Sequence, residues 1–164
     1  MIDINKIVFE QRNSIKQIEE GNMLCPKFND KGLLPCITVE NNTNQVLMFS
    51  YLNTEALKKS ILTKKAHYYS RSRKNIWIKG ETSGMTHDIK EIFIDDDQDC
   101  IIFIVSLNKP DKGGNIASCH VGYKSCFYRR VKLLDNKIHL EFTEHEKAFD
   151  PKVVYKGIDN PTKI

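Results

Sequence analysis

No apolar run in this chain approaches the roughly 18 residues that a helix needs to cross a bilayer. The opening Met1-Ile2-Asp3-Ile4-Asn5-Lys6 lacks the basic flank and apolar centre of a secretory signal. Membrane insertion is therefore not expected, and a cytoplasmic location is. The chain also lacks an excess of either charge: 25 basic residues stand against 21 acidic ones, a net charge of +4. So mild a surplus argues against a nucleic-acid partner. An even, regularly spaced set of cysteines is missing as well. Cys25, Cys36, Cys100, Cys119 and Cys126 are odd in number and scattered, which points to metal ligands or buried thiols and away from a disulfide framework.

Three familiar metal motifs begin and do not finish. Asp95, Asp97 and Asp99 match the first ligand positions of an EF-hand loop, but its glycine position is Cys100 and its bidentate glutamate position is Ser106. His139-Leu140-Glu141 matches half of the zinc deaminase signature with no P-C-x-x-C after it. His145-Glu146 opens like a zincin helix, whose second histidine position is here Phe149.

What is present fits one domain. The chain has 164 residues, 40% of them apolar and 28% charged, which suffices for one core and is cramped for two. Ile4, Ile7, Val8, Ile15 and Ile18 predict an amphipathic helix over 3–19 with Asp3 as its cap. Cys36–Glu40 and Gln45–Tyr51 predict a hairpin around Asn41–Asn44. Asn53 is placed to cap a helix running through Ala66, and Val131–Leu134 with Ile138–Phe142 predicts a second hairpin followed by a polar tail.

Asp95-Asp96-Asp97-Gln98-Asp99-Cys100 lies between two predicted strands, Lys90–Ile94 and Ile101–Val105. Four carboxylates in five positions repel one another unless a cation neutralises them. In an extended chain Asp95, Asp97 and Asp99 share one face, offering hard oxygens to magnesium, manganese or calcium, while Cys100 on the other face suits zinc. A solvated acidic turn is the competing reading. His67 to Gly84 gathers Ser70, Arg71, Ser72, Arg73, Trp77, Lys79, Thr82 and Ser83: guanidinium forks and hydroxyls suited to phosphate, and an indole able to wall a purine. A basic RNA-binding loop has the same composition. Cys119 and Cys126, seven apart, are a weak zinc signal that His120 strengthens, since an imidazole beside a metal-held water can act as general acid or base.

Taken in order, Lys27-Phe28-Asn29-Asp30-Lys31-Gly32-Leu33-Leu34-Pro35, Val46-Leu47-Met48 with Tyr51–Leu57, Tyr69–Arg73, Trp77–Gly84, Ser118-Cys119-His120-Val121-Gly122 and Ser125–Arg129 resemble the phosphoribosyl-AMP cyclohydrolases of histidine biosynthesis. The resemblance covers about residues 27–130. It implies a small α+β domain, a mixed sheet with one or two helices, forming an obligate homodimer. It implies magnesium on Asp95, Asp97 and Asp99, and zinc on three cysteines drawn from both subunits. Two of these are Cys119 and Cys126; the third position falls on Asp96, where the family has cysteine. Asp96 is the expected replacement and Cys100 the alternative. His120 is then the expected catalytic group, phosphoribosyl-AMP the substrate, and Ser70 to Ser83 the phosphate and purine contacts. A relative that has lost activity, or a zinc-stabilised nucleotide- or RNA-binding module, is the alternative function. Residues 1–25 are expected as a helical extension, 26–134 as the cyclohydrolase domain and 135–164 as a strand and polar tail. Members of the family are often fused to a pyrophosphohydrolase domain; the stretch after Arg130 is too short for one, so a single activity is expected.

Overall fold

The computed structural model of the chain describes residues 3–162. Alternation dictates the first strand: β1, Leu34–Glu40, turns Leu34, Cys36, Thr38 and Glu40 inward. β2, Val46–Leu52, returns antiparallel to it. Asn53 then caps α2, Thr54–Thr63, its side chain accepting from the Ala56 N–H at 2.8 Å. The helix stops three residues before Ala66 because Lys64 adopts a left-handed conformation, φ +56°. β3, His67–Ser70, and β4, Asn75–Ile78, form a hairpin. β5, His87–Ile94, and β6, Ile101–Leu107, form another, and β6 lies parallel to β1.

The sheet order is β4-β3-β2-β1-β6-β5, one parallel pairing among antiparallel ones. It curls until its ends meet. Just before β3, Ala66 donates to the His87 carbonyl and Lys64 accepts from the Ile89 N–H, so the chain leading into β3 is tied to β5. Leu34, Leu47, Leu52, Leu57, Tyr68 and Phe103 fill the enclosed core. Side chains of this size each contribute about 1.5–3 kcal/mol on burial.

Two features of the sheet prepare the site. β2 and β3 pair only at Tyr51 and Tyr69, so the carbonyls of Val46 and Leu47 remain free for another segment. Residues 95–100 form a turn and not the extended segment that alternation suggests, because Gln98 takes φ +58° and reverses the chain.

The N-terminal expectation needs correction. In place of one helix over 3–19 there is a short 3-10 turn, Ile4–Lys6, an extended stretch, and α1, Ile15–Glu20. Ser14 caps α1 and starts it anew, and the Glu10 N–H pairs with the Leu24 carbonyl, which holds the intervening chain extended. The tail after residue 142 is also less polar than its composition suggests. Phe149, and Val154 on the short α3, Pro151–Val154, are buried against Met85 and Ala117.

β7, Arg129–Leu134, and β8, Lys137–Phe142, make a separate two-stranded ribbon. Asp135 and Asn136, both at positive φ, form its turn. All twelve strand residues are exposed, Val131 and Leu133 at 70% and Ile138 at 76%. An isolated ribbon with that much apolar surface is marginal in water.

Candidate active site

The loop from Ser118 to Cys126 docks where β2 and β3 part. The Cys126 N–H donates to the Leu47 carbonyl at 2.7 Å, and the Ser125 hydroxyl donates to that of Val46 at 2.8 Å. Glu144 braces the loop from outside, accepting from the N–H groups of Lys124 at 2.7 Å and Ser125 at 3.1 Å. Lys124 in turn pairs with the buried Glu40 at the end of β1, 2.7 Å away.

This bracing sets the Cys119 and Cys126 thiols close enough to influence each other's ionisation. Cys126 pulls the Cys119 thiol down to about 7 against the opposing effect of burial, and Cys126, which keeps the proton, is pushed up. Lys79, only 7% exposed, donates to the Ser118 carbonyl at 2.5 Å and places its charge beside both thiols. Burial lowers the Lys79 pKa, while the two cysteines pull it back up. Close by, the Ser118 hydroxyl and the Nε2 atom of His120 are buried without a partner. Burial first, then Lys79, lowers the His120 pKa, so its ring is neutral near pH 7. Two soft donors, beside an imidazole whose Nε2 is unpartnered, fit a zinc site that lacks its remaining ligand.

The acidic loop fits a hard cation. Asp95, Asp97 and Asp99 bring ligand oxygens within 4.8 Å of one another, the one group of three or more His, Cys, Asp or Glu this close among the described residues. The Lys27 ammonium stands where such a cation would, 3.1 Å from Asp97 and 3.6 Å from Asp99, and the hydrogen bond to Asp97 raises its pKa. Asp96 is exposed at the rim of a cavity of about 350 Å³ shared with the N-terminal segment. Cys100 is half-buried, its thiol pKa raised first by burial and then by Asp95 and Asp99.

The acidic and thiol loops of one chain do not meet. Ile101 sits level with Cys36 on β1, whereas the thiol loop hangs from Val46 and Leu47, near the level of Val39. At about 3.3 Å per residue the two lie roughly 10 Å apart along the strands, far beyond a shared coordination sphere.

The groups expected on phosphate separate. Arg71, Ser72 and Arg73 form the exposed tip of the β3–β4 hairpin; Ser70 accepts from the Arg73 N–H, and the Arg71 guanidinium lies 4.4 Å over the Tyr51 ring. Arg71 and Tyr51 line a groove of about 280 Å³ with Lys31 and Leu33. Trp77 packs on Tyr68, ring centroids 5.2 Å apart. Thr82 is exposed, while the buried Ser83 accepts from the Met85 N–H. Between Lys79 and these two, Gly80 is required: at φ +88° a Cβ would lie 2.3 Å from the Thr86 nitrogen.

The family model of phosphoribosyl-AMP cyclohydrolase matches residues 48–128. A protein of Rhizobium leguminosarum bv. trifolii bearing that name is 40% identical over 153 residues, 93% of this chain and 99% of the relative. The chain belongs to the phosphoribosyl-AMP cyclohydrolase family. Proteins of the same name from Rhizobium etli and Bradyrhizobium diazoefficiens are 39% identical over 153 residues (93% of this chain, 99% of the relative) and 43% identical over 140 residues (85% and 95%). The interval matched to the cyclohydrolase family contains the β3–β4 hairpin, the acidic loop and the thiol loop. Gln98, Lys124 and Glu144, which shape those loops, carry no signal of their own in the sequence, because their partners are distant along the chain.

Proposed function

We propose that this protein hydrolyses 1-(5-phosphoribosyl)-AMP, opening the N1–C6 bond of the adenine ring, as a zinc- and magnesium-dependent homodimer acting in the cytoplasm in histidine biosynthesis. The observation that carries this reading is the neighbouring thiols of Cys119 and Cys126 on one braced loop beside His120, whose Nε2 is buried without a partner, in a chain of this family. Cys119 and Cys126 would hold zinc, with Asp96 from a second copy as third ligand; Asp95, Asp97 and Asp99 would hold magnesium. Asp96 is preferred to Cys100 because it is exposed, whereas burial first, then Asp95 and Asp99, raise the Cys100 thiol pKa and disfavour the thiolate. The separation of the two loops within one chain supports a site completed across copies, and the bare apolar β7–β8 ribbon supplies surface for a second copy to cover.

When bound, zinc supplies the Lewis acidity that makes hydroxide available at ordinary pH. The chain supplies the remaining steps. A second phosphoribosyl group on N1 leaves C6 electron-poor, so attack there is favoured. Nε2 of neutral His120 accepts a proton from the attacking water and passes it to the departing N1, which keeps charge from building on the ring. Lys79 offsets the thiolate charge beneath. Arg71 and Arg73, with Ser70 and Ser72, grip one phosphate in forked hydrogen bonds at the hairpin tip; Thr82 and the buried Ser83 lie past the other end of that hairpin and do not share this phosphate, and Trp77 backs the purine side.

Ring opening changes ultraviolet absorbance, so the test is turnover of phosphoribosyl-AMP with both metals supplied, together with zinc analysis. Turnover is expected. Its absence would favour a silent nucleotide- or RNA-binding relative, for which aspartate at position 96 is the motive. Asp96→Cys should keep or raise zinc content and Asp96→Ala should lose it; unchanged zinc in the alanine variant would transfer the ligand role to Cys100 or solvent.

A further inference from the structure

The aspartates of the acidic loop are held in place from a distance. Gln98, the residue between Asp97 and Asp99, points away from them and is only 4% exposed. Its Oε1 accepts from the Cys25 N–H at 2.7 Å, its Nε2 donates to the carbonyls of Ile18 at 3.0 Å and Met23 at 3.4 Å, and its own carbonyl accepts from the Lys27 N–H at 2.7 Å. Arg12 spans the same joint: one guanidinium nitrogen donates to the Cys25 carbonyl at 2.6 Å, the other to the Asp97 carbonyl at 2.8 Å. The N-terminal segment thus grips the loop backbone on both sides of residue 98. Gln98 needs that grip, since a non-glycine residue at φ +58° is strained unless its surroundings fix it. Without the turn at 98, Asp97 and Asp99 would not converge with Asp95 on one cation.

From this arrangement we infer that residues 12–27 are a clamp for the cation site, and that Gln98 and Arg12 are positioning residues which set the spacing of Asp95, Asp97 and Asp99 without touching the ion. The inference rests on the assignment of a divalent cation to those aspartates. It gives the N-terminal segment, which lies outside the interval matched by the family model, a part in the reaction. Both side chains are spent on backbone groups, Arg12 on the carbonyls of Cys25 and Asp97 and Gln98 on Cys25, Ile18 and Met23, so both act through the carboxylates.

The test is Mn2+ affinity, read by the paramagnetic resonance of free Mn2+ with zinc held at a constant level, well below each variant's melting midpoint. Wild type is expected to bind one Mn2+ at this loop and Asp97→Asn to lose it. Gln98→Ala and Arg12→Met are expected to bind about 10- to 100-fold more weakly, the usual effect of removing a group that orients a metal ligand, and Arg12→Lys to recover part of the loss. Arg12→Met leaves the core untouched, so it decides the matter if Gln98→Ala does not fold. Absence of Mn2+ binding in wild type, or unchanged binding in Asp97→Asn, would overturn the cation site and the clamp with it. Tight binding in wild type with equal affinity in the Gln98 and Arg12 variants would overturn the clamp alone.

Discussion

Serine in place of Cys126 should reduce ring opening at least about a thousandfold, roughly 4 kcal/mol of transition-state stabilisation, and should strip zinc from the purified protein. A hydroxyl stays protonated where a thiol ionises, so it is a poor ligand for a soft metal. In that variant burial still raises the Cys119 pKa, while the Val121 N–H and Lys79 still lower it. The loop itself should persist, because it is tied to β2 through the Cys126 N–H and the Ser125 hydroxyl and to Glu144 through the Lys124 and Ser125 N–H groups, none of which the substitution removes. Circular dichroism and zinc analysis on the same sample separate the two effects. A variant that keeps its zinc and its turnover would remove the thiol pair from the account.

His120→Ala should leave the metal in place and slow the chemistry by about 10²–10⁴-fold, the range for loss of a general acid or base. The loss should fall on kcat, with KM and zinc content little changed, since the imidazole is assigned to neither metal nor phosphate. The pH profile carries a further signature. His120 must begin neutral to accept a proton, and burial together with Lys79 lowers its pKa, so wild-type activity should fall only as pH drops below the ordinary histidine value of about 6.5. Alanine should abolish that acidic limb. A profile that keeps the limb assigns the proton transfer to another group.

Where short-range physics governs, the sequence was a good guide. The β1–β2 hairpin, the Asn53 cap, the strands flanking the acidic loop and the β7–β8 ribbon with its Asp135-Asn136 turn all follow from alternation, capping and turn chemistry, and all are found. The N-terminal helix failed because a backbone bond from Glu10 to Leu24 and the Ser14 cap outweigh the spacing of Ile4, Ile7 and Val8; Val8 is in fact 80% exposed.

The site divides in the same way. The two metal-binding candidates were legible as local runs of carboxylates and thiols, and the resemblance to the family joined them. Lys79 was legible only as one cation among several, and its place beside the thiols follows from the separation of β2 and β3, which no local pattern encodes. Gln98 looked like the variable member of an acidic run. Its buried side chain makes sense only with Ile18, Met23 and Cys25, more than 70 residues earlier, in place.

The central claim, that one active site draws its acidic loop from one copy and its thiol loop from another, is tested most directly by complementation between two inactive chains. Asp96→Ala and Cys126→Ser, each carrying a different tag, are co-expressed and the mixed dimer is isolated through both tags. In that dimer one composite site carries both substitutions and the other carries neither, so about half of the wild-type turnover and zinc should return. A mixed dimer as inactive and zinc-free as its two parents would contradict the shared site.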